Sequence, residues 1–215
     1  MTLAIRLFTF AFGVAAIVGA TAADAHPHVW VTIRSTLVFA GDGTVSALRH
    51  AWTFDEMFSA FATQGLDKDK DGKFSREELA ELAKVNVTSL KEFNYFSAAK
   101  SDGKDVEFDE PIDYWLDADK DNVLTLHFTL PVKSKPSKSG LTVEIFDPIM
   151  FVDLSFAEEG KLRLEGAPTT CTAEAKKPRP PEVSSDKLSE SFFNSLTAAS
   201  QYGSQFANRI VVTCK

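Results

Sequence analysis

The sequence predicts an α+β protein: an antiparallel, sandwich-like β core, interrupted by a helix–loop–helix insertion over about 54–92 and followed by a C-terminal helix over about 186–208. Three observations carry this prediction. Apolar–polar alternation with strand period opens the chain after residue 28 and resumes after residue 94. Between Asp55 and Lys91 the apolar period changes to that of a helix, and helical spacing returns at Leu188, Phe192, Leu196 and Ala199. No internal repeat is present, so one domain over 26–215 accounts for the rest.

Residues 1–25 are expected to be a signal peptide. Arg6 supplies a positive start, Leu7–Ala20 is apolar but short for a membrane span, and Ala23-Asp24-Ala25 places small residues where signal peptidase reads. An uncleaved anchor is the alternative, and the cleavage site argues against it. Cleavage after Ala25 makes His26 the new N-terminus of a soluble protein exported to the periplasm. Arg6 and Asp24 cancel, so the mature chain keeps the net charge of −7. That acidic balance, with no basic aromatic-rich patch, argues against a nucleic-acid partner.

The strands follow in order. In His28–Phe39, Val29, Val31, Ile33, Leu37 and Phe39 share one face, while His28, Trp30, Thr32 and Arg34 share the other. Gly41-Asp42-Gly43 is a hairpin signal, and Thr44–Phe54 returns as the second strand. Met57, Phe58, Phe61 and Leu66 form an entering helical stripe, and Leu79, Leu82, Val85, Leu90 and Phe93 form a second one. Further strands are expected at Asn94–Ala99, Asp105–Phe108, Ile112–Leu116, Val123–Leu130, Leu141–Phe146, Phe151–Phe156, Lys161–Leu164 and Ile210–Thr213. Prolines make Lys176–Val183 an exposed loop (176–183), because they remove donors and fix φ.

Between the two helical stripes lies Asp67–Glu78, DKDKDGKFSREE. Counting Asp67 as position 1 puts Asp69 at 3, Asp71 at 5, Gly72 at 6, Lys73 at 7, Ser75 at 9 and Glu78 at 12. This is the spacing of an EF-hand calcium loop. Calcium takes six to eight oxygens, which three Asp carboxylates, the Lys73 carbonyl, a group at Ser75 acting through water and a bidentate Glu78 can supply. Gly72 permits the sharp turn round the ion. The plainer reading is an acidic turn entering a helix, but every fixed position matches and helical sequence flanks both sides. A second acidic run, Asp117–Asn122, lacks the position-6 glycine, has Phe128 where the glutamate belongs, and continues as a strand. It is a β-turn by composition.

After cleavage the chain begins His26-Pro27-His28. The α-amine and the imidazoles of His26 and His28 are candidate ligands for Zn²⁺, Cu²⁺ or Ni²⁺, whose preference for nitrogen calcium does not share. Pro27 has no amide hydrogen, which excludes chelation through a deprotonated amide at position 2. An exposed N-terminal arm is the plainer reading. His50 shares a face with Leu48, Trp52 and Phe54 as a core residue, and His127 sits among threonines on a solvated face. The two cysteines, Cys171 and Cys214, are most simply a disulfide in an oxidising compartment, and they lack the spacing of a thiolate metal or redox pair. No nucleophile elbow, zinc-protease helix or phosphate-cradling loop occurs, so the chain is read as a non-enzyme.

HPHVWV after the export signal, AWTFDEMFS leading into DKDKDGKFSREEL, and EIFDPIMFVDLSF together resemble the family called domain of unknown function one-thousand-and-seven. The resemblance spans His26 to about Phe156. Proteins of this family are often labelled the periplasmic component of an ABC-type uncharacterised transport system and are often encoded near nickel/cobalt-type exporters. The resemblance therefore implies export and association with transport. It does not extend to a two-lobed binding-protein fold, since the doubly wound α/β pattern is missing.

Three functions are consistent with these features. The first is a calcium-binding, metal-handling or transport-accessory protein with a transition-metal site at His26 and His28. The second is a calcium-stabilised interaction module that docks a membrane transporter or exporter without a transition metal. The third is an enzyme using the N-terminal histidines as a copper brace, which only those histidines support.

Overall fold

The computed structural model describes residues 28–134, 136, 140–178 and 204–215. In chain order the elements are β1 (Val29–Phe39), β2 (Val45–Phe54), α1 (Glu56–Ala62), α2 (Arg76–Leu90), β3 (Ser97–Ser101), β4 (Lys104–Val106), β5 (Ile112–Ala118), β6 (Leu124–Pro131), β7 (Leu141–Ile145), β8 (Val152–Phe156), β9 (Leu162–Glu165), β10 (Cys171–Lys176) and β11 (Asn208–Cys214). They form an α+β fold of two sheets and two helices. The first sheet runs β5-β6-β2-β1-β8, with β9 also beside β1; the second runs β10-β11-β7-β3-β4.

The predicted alternation of β1 is observed: Val29, Val31, Ile33, Leu37 and Phe39 are buried, and Trp30, Thr32 and Arg34 are exposed. Opposite them on β2 lie Leu48 and Trp52, and on β6 Leu126, Phe128 and Leu130, all buried. The second sheet contributes Leu141, Val143, Ile145, Ile210 and Val212 to the same core. Each such side chain stabilises the fold by about 1.5–3 kcal/mol through burial. His50 lies between the sheets, 3.0 Å from Ser35 Oγ through Nδ1 and 3.2 Å from Ser97 Oγ through Nε2. Burial pushes its pKa down to about 3, so it is a neutral core histidine, as its neighbours in sequence suggest.

The β core is mixed rather than antiparallel, which corrects the expectation. β8 and β9 both pair with β1 in parallel, β8 along its first half and β9 along its second. The chain leaves β7 in the second sheet and crosses to the first through a turn held by Asp147. That residue is 4% exposed, and its two carboxylate oxygens accept from the Ile149 and Val152 N–H groups, each at 2.9 Å. Parallel neighbours need a crossover connection rather than a hairpin, and alternation is blind to direction.

Three further expectations change. Lys91–Phe96 is a 3₁₀ segment with Asn94, Tyr95 and Phe96 at φ of 50°, 54° and 50°, so the strand predicted from Asn94 begins at Ser97. The C-terminal helix does not reach 208. Ser204–Phe206 is a 3₁₀ turn, and Asn208 opens β11, buried with its side-chain amide donating to the Leu154 carbonyl. β10 is a strand that alternation does not mark: CTAEAK lacks bulky apolar residues and is held by its ladder to β11 and the Cys171–Cys214 disulfide, whose cysteines face each other in register. Residues 1–25, His26, most of the 176–183 loop and the greater part of the predicted C-terminal helix lie outside the described residues.

Candidate functional site

The helices α1 and α2 stand between β2 and β3 with the acidic loop between them. Asp55 starts α1 by accepting the Phe58 N–H at 2.8 Å, and it also ties that helix to β1, since its second oxygen accepts the Trp30 N–H at 3.0 Å. Ser59, buried on α1, donates to the Asp55 carbonyl and accepts the Leu124 N–H at 3.1 Å, joining α1 to β6. On α2, Leu79, Ala83 and Val87 recur every four residues and are buried, with α2 lying against β5. Both ends of the loop are therefore anchored to the sheet.

Within the loop the backbone winds inward. Lys70 and Gly72, at positions 4 and 6, have φ of 61° and 80°. Asp67 accepts the Gly72 N–H through Oδ2 at 3.1 Å, Asp69 accepts the Asp71 N–H at 3.2 Å, and Asp71 accepts the Lys73 N–H at 2.7 Å. One carboxylate oxygen from each of Asp67, Asp69 and Asp71 lies within 4.8 Å of the others. A calcium ion at 2.3–2.6 Å from each ligand requires oxygens no farther apart than about 5 Å, so the cluster fits. Each unrelieved pair of such charges repels by about 0.9 kcal/mol even at the dielectric of water. Asp67 Oδ1 is buried and has no hydrogen-bond partner.

Glu78 approaches from α2. Ser75 caps that helix in a capping box: the Glu78 N–H donates to Ser75 Oγ at 3.3 Å, and Glu78 Oε2 accepts from both the Ser75 N–H and its hydroxyl at 2.9 Å. Glu78 Oε1 accepts the Lys68 N–H at 2.7 Å. These donors, led by the Ser75 N–H and then the Lys68 N–H, pull the Glu78 pKa down to about 2, so it stays charged and its remaining lone pairs stay available. Phe74 packs on the core.

The acidic run Asp117–Asn122 closes the hairpin between β5 and β6, its first two residues ending β5, and it docks on the loop. Asn122 Nδ2 donates to the Gly72 carbonyl at 3.3 Å. Asp117 accepts from Arg76 Nε at 2.8 Å, from Trp115 Nε1 at 2.9 Å, and lies 3.3 Å from His127 Nε2. Arg76 sits over the Trp115 ring at 4.9 Å, and Trp115 stacks on His127 at 4.6 Å. This clamp is not legible in the sequence, because its members are distant along the chain. His28 is exposed at the start of β1; its N–H donates to the Phe151 carbonyl at 2.8 Å and its ring meets Phe151 at 4.9 Å. Among the described residues the Asp67, Asp69 and Asp71 group is the one cluster with metal-ligand spacing, and His28 is not part of it.

Two packed sheets carrying a helix–loop–helix with convergent carboxylates define an α+β protein with an acidic interhelical loop. The chain belongs to the family described as protein of unknown function (DUF1007), whose model matches residues 11–214. A comparison with curated proteins finds no significant match. Among the described residues no helix is long and apolar enough to cross a membrane.

Proposed function

We propose that this protein is a calcium-binding periplasmic component that handles metal ions or assists a transport system. The loop Asp67–Glu78 acts as an EF-hand, with Asp67, Asp69, Asp71 and Glu78 as carboxylate ligands, the Lys73 carbonyl as a fifth and Ser75 through water. The observation that carries this reading is Asp67 Oδ1, a buried carboxylate oxygen without a partner amid two further carboxylates. A buried unpaired charge is costly, and a cation at that point removes the cost. The ion serves a structural end: it holds α1 and α2 together, and through Gly72–Asn122 and Arg76–Asp117 it fixes them against the β5–β6 hairpin. A lone loop of this kind stabilises rather than senses, since sensors open helix pairs.

The mature N-terminus, His26 with His28, is the second site of the proposal and takes Zn²⁺, Cu²⁺ or Ni²⁺. The chain starting at His26 is titrated calorimetrically with each ion and with calcium. The reading predicts calcium binding that Asp67→Asn removes and transition-metal binding that one residue added before His26 removes. Calcium binding unchanged in Asp67→Asn sinks the loop assignment, and transition-metal binding unchanged by the extension sinks the N-terminal one.

A second reading is favoured by the outward faces of the helices. Met57 and Phe61, one turn apart on α1, are 69% and 72% exposed, and Val85 on α2 is 58% exposed. In this reading calcium presents the helices as a docking face for a membrane transporter or exporter, and no transition metal binds. Transition-metal titrations that stay flat while calcium still raises the melting temperature select it.

A further inference from the structure

The outer face of the first sheet gathers arginines from strands that are far apart in sequence. The register places Arg163 of β9, Thr36 of β1 and Arg49 of β2 in one row across the sheet. Two residues along, Arg34 of β1, Ala51 of β2 and His127 of β6 form a second row. Neighbouring strands stand about 4.8 Å apart and same-face residues about 6.6 Å apart along a strand, so the two rows enclose a patch that one ligand can span. Ala51 stands between Arg34 and His127, and its methyl group leaves a depression where a longer side chain would stand. The resulting cavity is about 230 Å³.

The charges there do not balance. Arg49 pairs with Glu165 at 2.8 Å, but among the described residues neither Arg34 nor Arg163 has an ion pair or side-chain hydrogen bond. Three guanidinium groups border the cavity, one of them paired with Glu165, and Asp117 stands on its His127 side, in a chain whose net charge is −7. Like charges grouped on one sheet face oppose the fold. The guanidinium fork is the group best suited to planar recognition of carboxylate and phosphate. On the His127 side the wall is rigid, because that ring is stacked on Trp115 and held by Asp117.

We propose that the outer face of the first sheet is a binding site for a small dianionic oxyanion, a phosphate or a compact dicarboxylate, held by Arg34, Arg49 and Arg163 above Ala51. The site is separate from the acidic loop between the two helices, although Asp117, which holds His127 on its wall, also accepts from Arg76 beside that loop. Its volume falls below the range of pockets for drug-sized ligands, roughly 300–1,000 Å³, and suits an anion with a few waters.

The test titrates the chain from residue 26 with inorganic phosphate and, separately, with malonate, at constant ionic strength. Saturable one-to-one binding of at least one of them is expected; phosphate alone identifies a phosphoryl ligand and malonate alone a dicarboxylate. The Arg34→Ala/Arg163→Ala variant is expected to weaken that binding by about tenfold or more, and the corresponding double lysine variant by less, because it keeps charge but loses the fork. Ala51→Leu, which fills the floor without changing charge, is expected to weaken it comparably; circular dichroism checks that each variant is folded. No saturable binding of either anion up to about 10 mM, a Kd range corresponding to under 3 kcal/mol, overturns the proposal. So does binding that the folded double alanine and Ala51→Leu variants leave unchanged.

Discussion

The loop at Asp67–Glu78 and the turn at Asp117–Asn122 have nearly the same acidic spacing and opposite fates. In the turn, the carboxylates of Asp117 and Asp119 are engaged within the fold. Asp119 Oδ1 accepts the Asp121 and Val123 N–H groups at 2.9 Å each, and Asp117 is engaged by Arg76, Trp115 and His127. In the loop, three carboxylates converge and one buried oxygen has no partner. The difference lies in what the backbone does next. Gly72 at φ 80° turns the loop inward and α2 brings in Glu78, whereas the turn closes directly into β6 and leaves its side chains to serve the hairpin. On the proposed reading, acidic spacing alone does not make a cation site, and unsatisfied convergent oxygens are needed as well.

The largest effect expected from this contrast is in calcium-dependent stability. With calcium at a hundred times its Kd, the wild-type protein should gain about 2.7 kcal/mol. Asp67→Asn should lose that gain and Asp119→Asn should keep it, as read by melting with calcium or with chelator. A calcium response lost in Asp119→Asn and kept in Asp67→Asn would reverse the assignment of the two regions.

A smaller effect separates the regions without calcium. Ser75→Ala removes the cap of α2 and should destabilise the protein by about 1 kcal/mol in chemical denaturation with chelator present. Asp119→Ala should cost a similar amount by freeing two backbone donors, and that loss should be the same with calcium or without it.

Acid distinguishes the loop again. The Glu78 pKa in the fold is about 2, against an ordinary value of 4.5, so its contribution is fully present above pH 4.5 and is lost as pH falls toward 2. Denaturation measured across that window should show a fall in stability that Glu78→Gln lacks. The smallest effect is at the clamp between the regions: Arg76 and Asp117 are both well exposed, so Arg76→Ala should change stability by no more than about 1 kcal/mol. A markedly larger loss would mean that the turn carries the loop rather than merely bracing it.

Much of this contrast is legible in the chain. The twelve positions of the loop, the glycine that turns it and the missing glycine of the turn are local features. The helical stripes are legible only in part: Met57, Phe61 and Val85 are exposed, while Ser59, Ala83 and Val87 are buried with Leu79. The alternation of β1 and β2 likewise declares itself in Val29, Val31, Ile33, Leu48 and Trp52. What the sequence hides is relation. Parallel pairing of β8 and β9 with β1 follows from a crossover between sheets, which no periodicity records. β10 is a strand because β11 and a disulfide make it one, and Tyr95 and Phe96 adopt left-handed backbone because burial holds them there. The contact from Asn122 to Gly72 joins residues from separate hairpin and helix contexts, so the β5–β6 turn braces the acidic loop. Arg34 can be placed on the outer face from alternation, but its meeting with Arg163 depends on β9.

Of the two acidic regions, the loop is proposed to bind calcium and the turn is not. Calorimetric titration of calcium into the chain from residue 26 separates them. A single site per chain is expected, abolished by Asp67→Asn and untouched by Asp119→Asn. Two sites per chain, no heat of binding at all, or a single site that survives Asp67→Asn would contradict it.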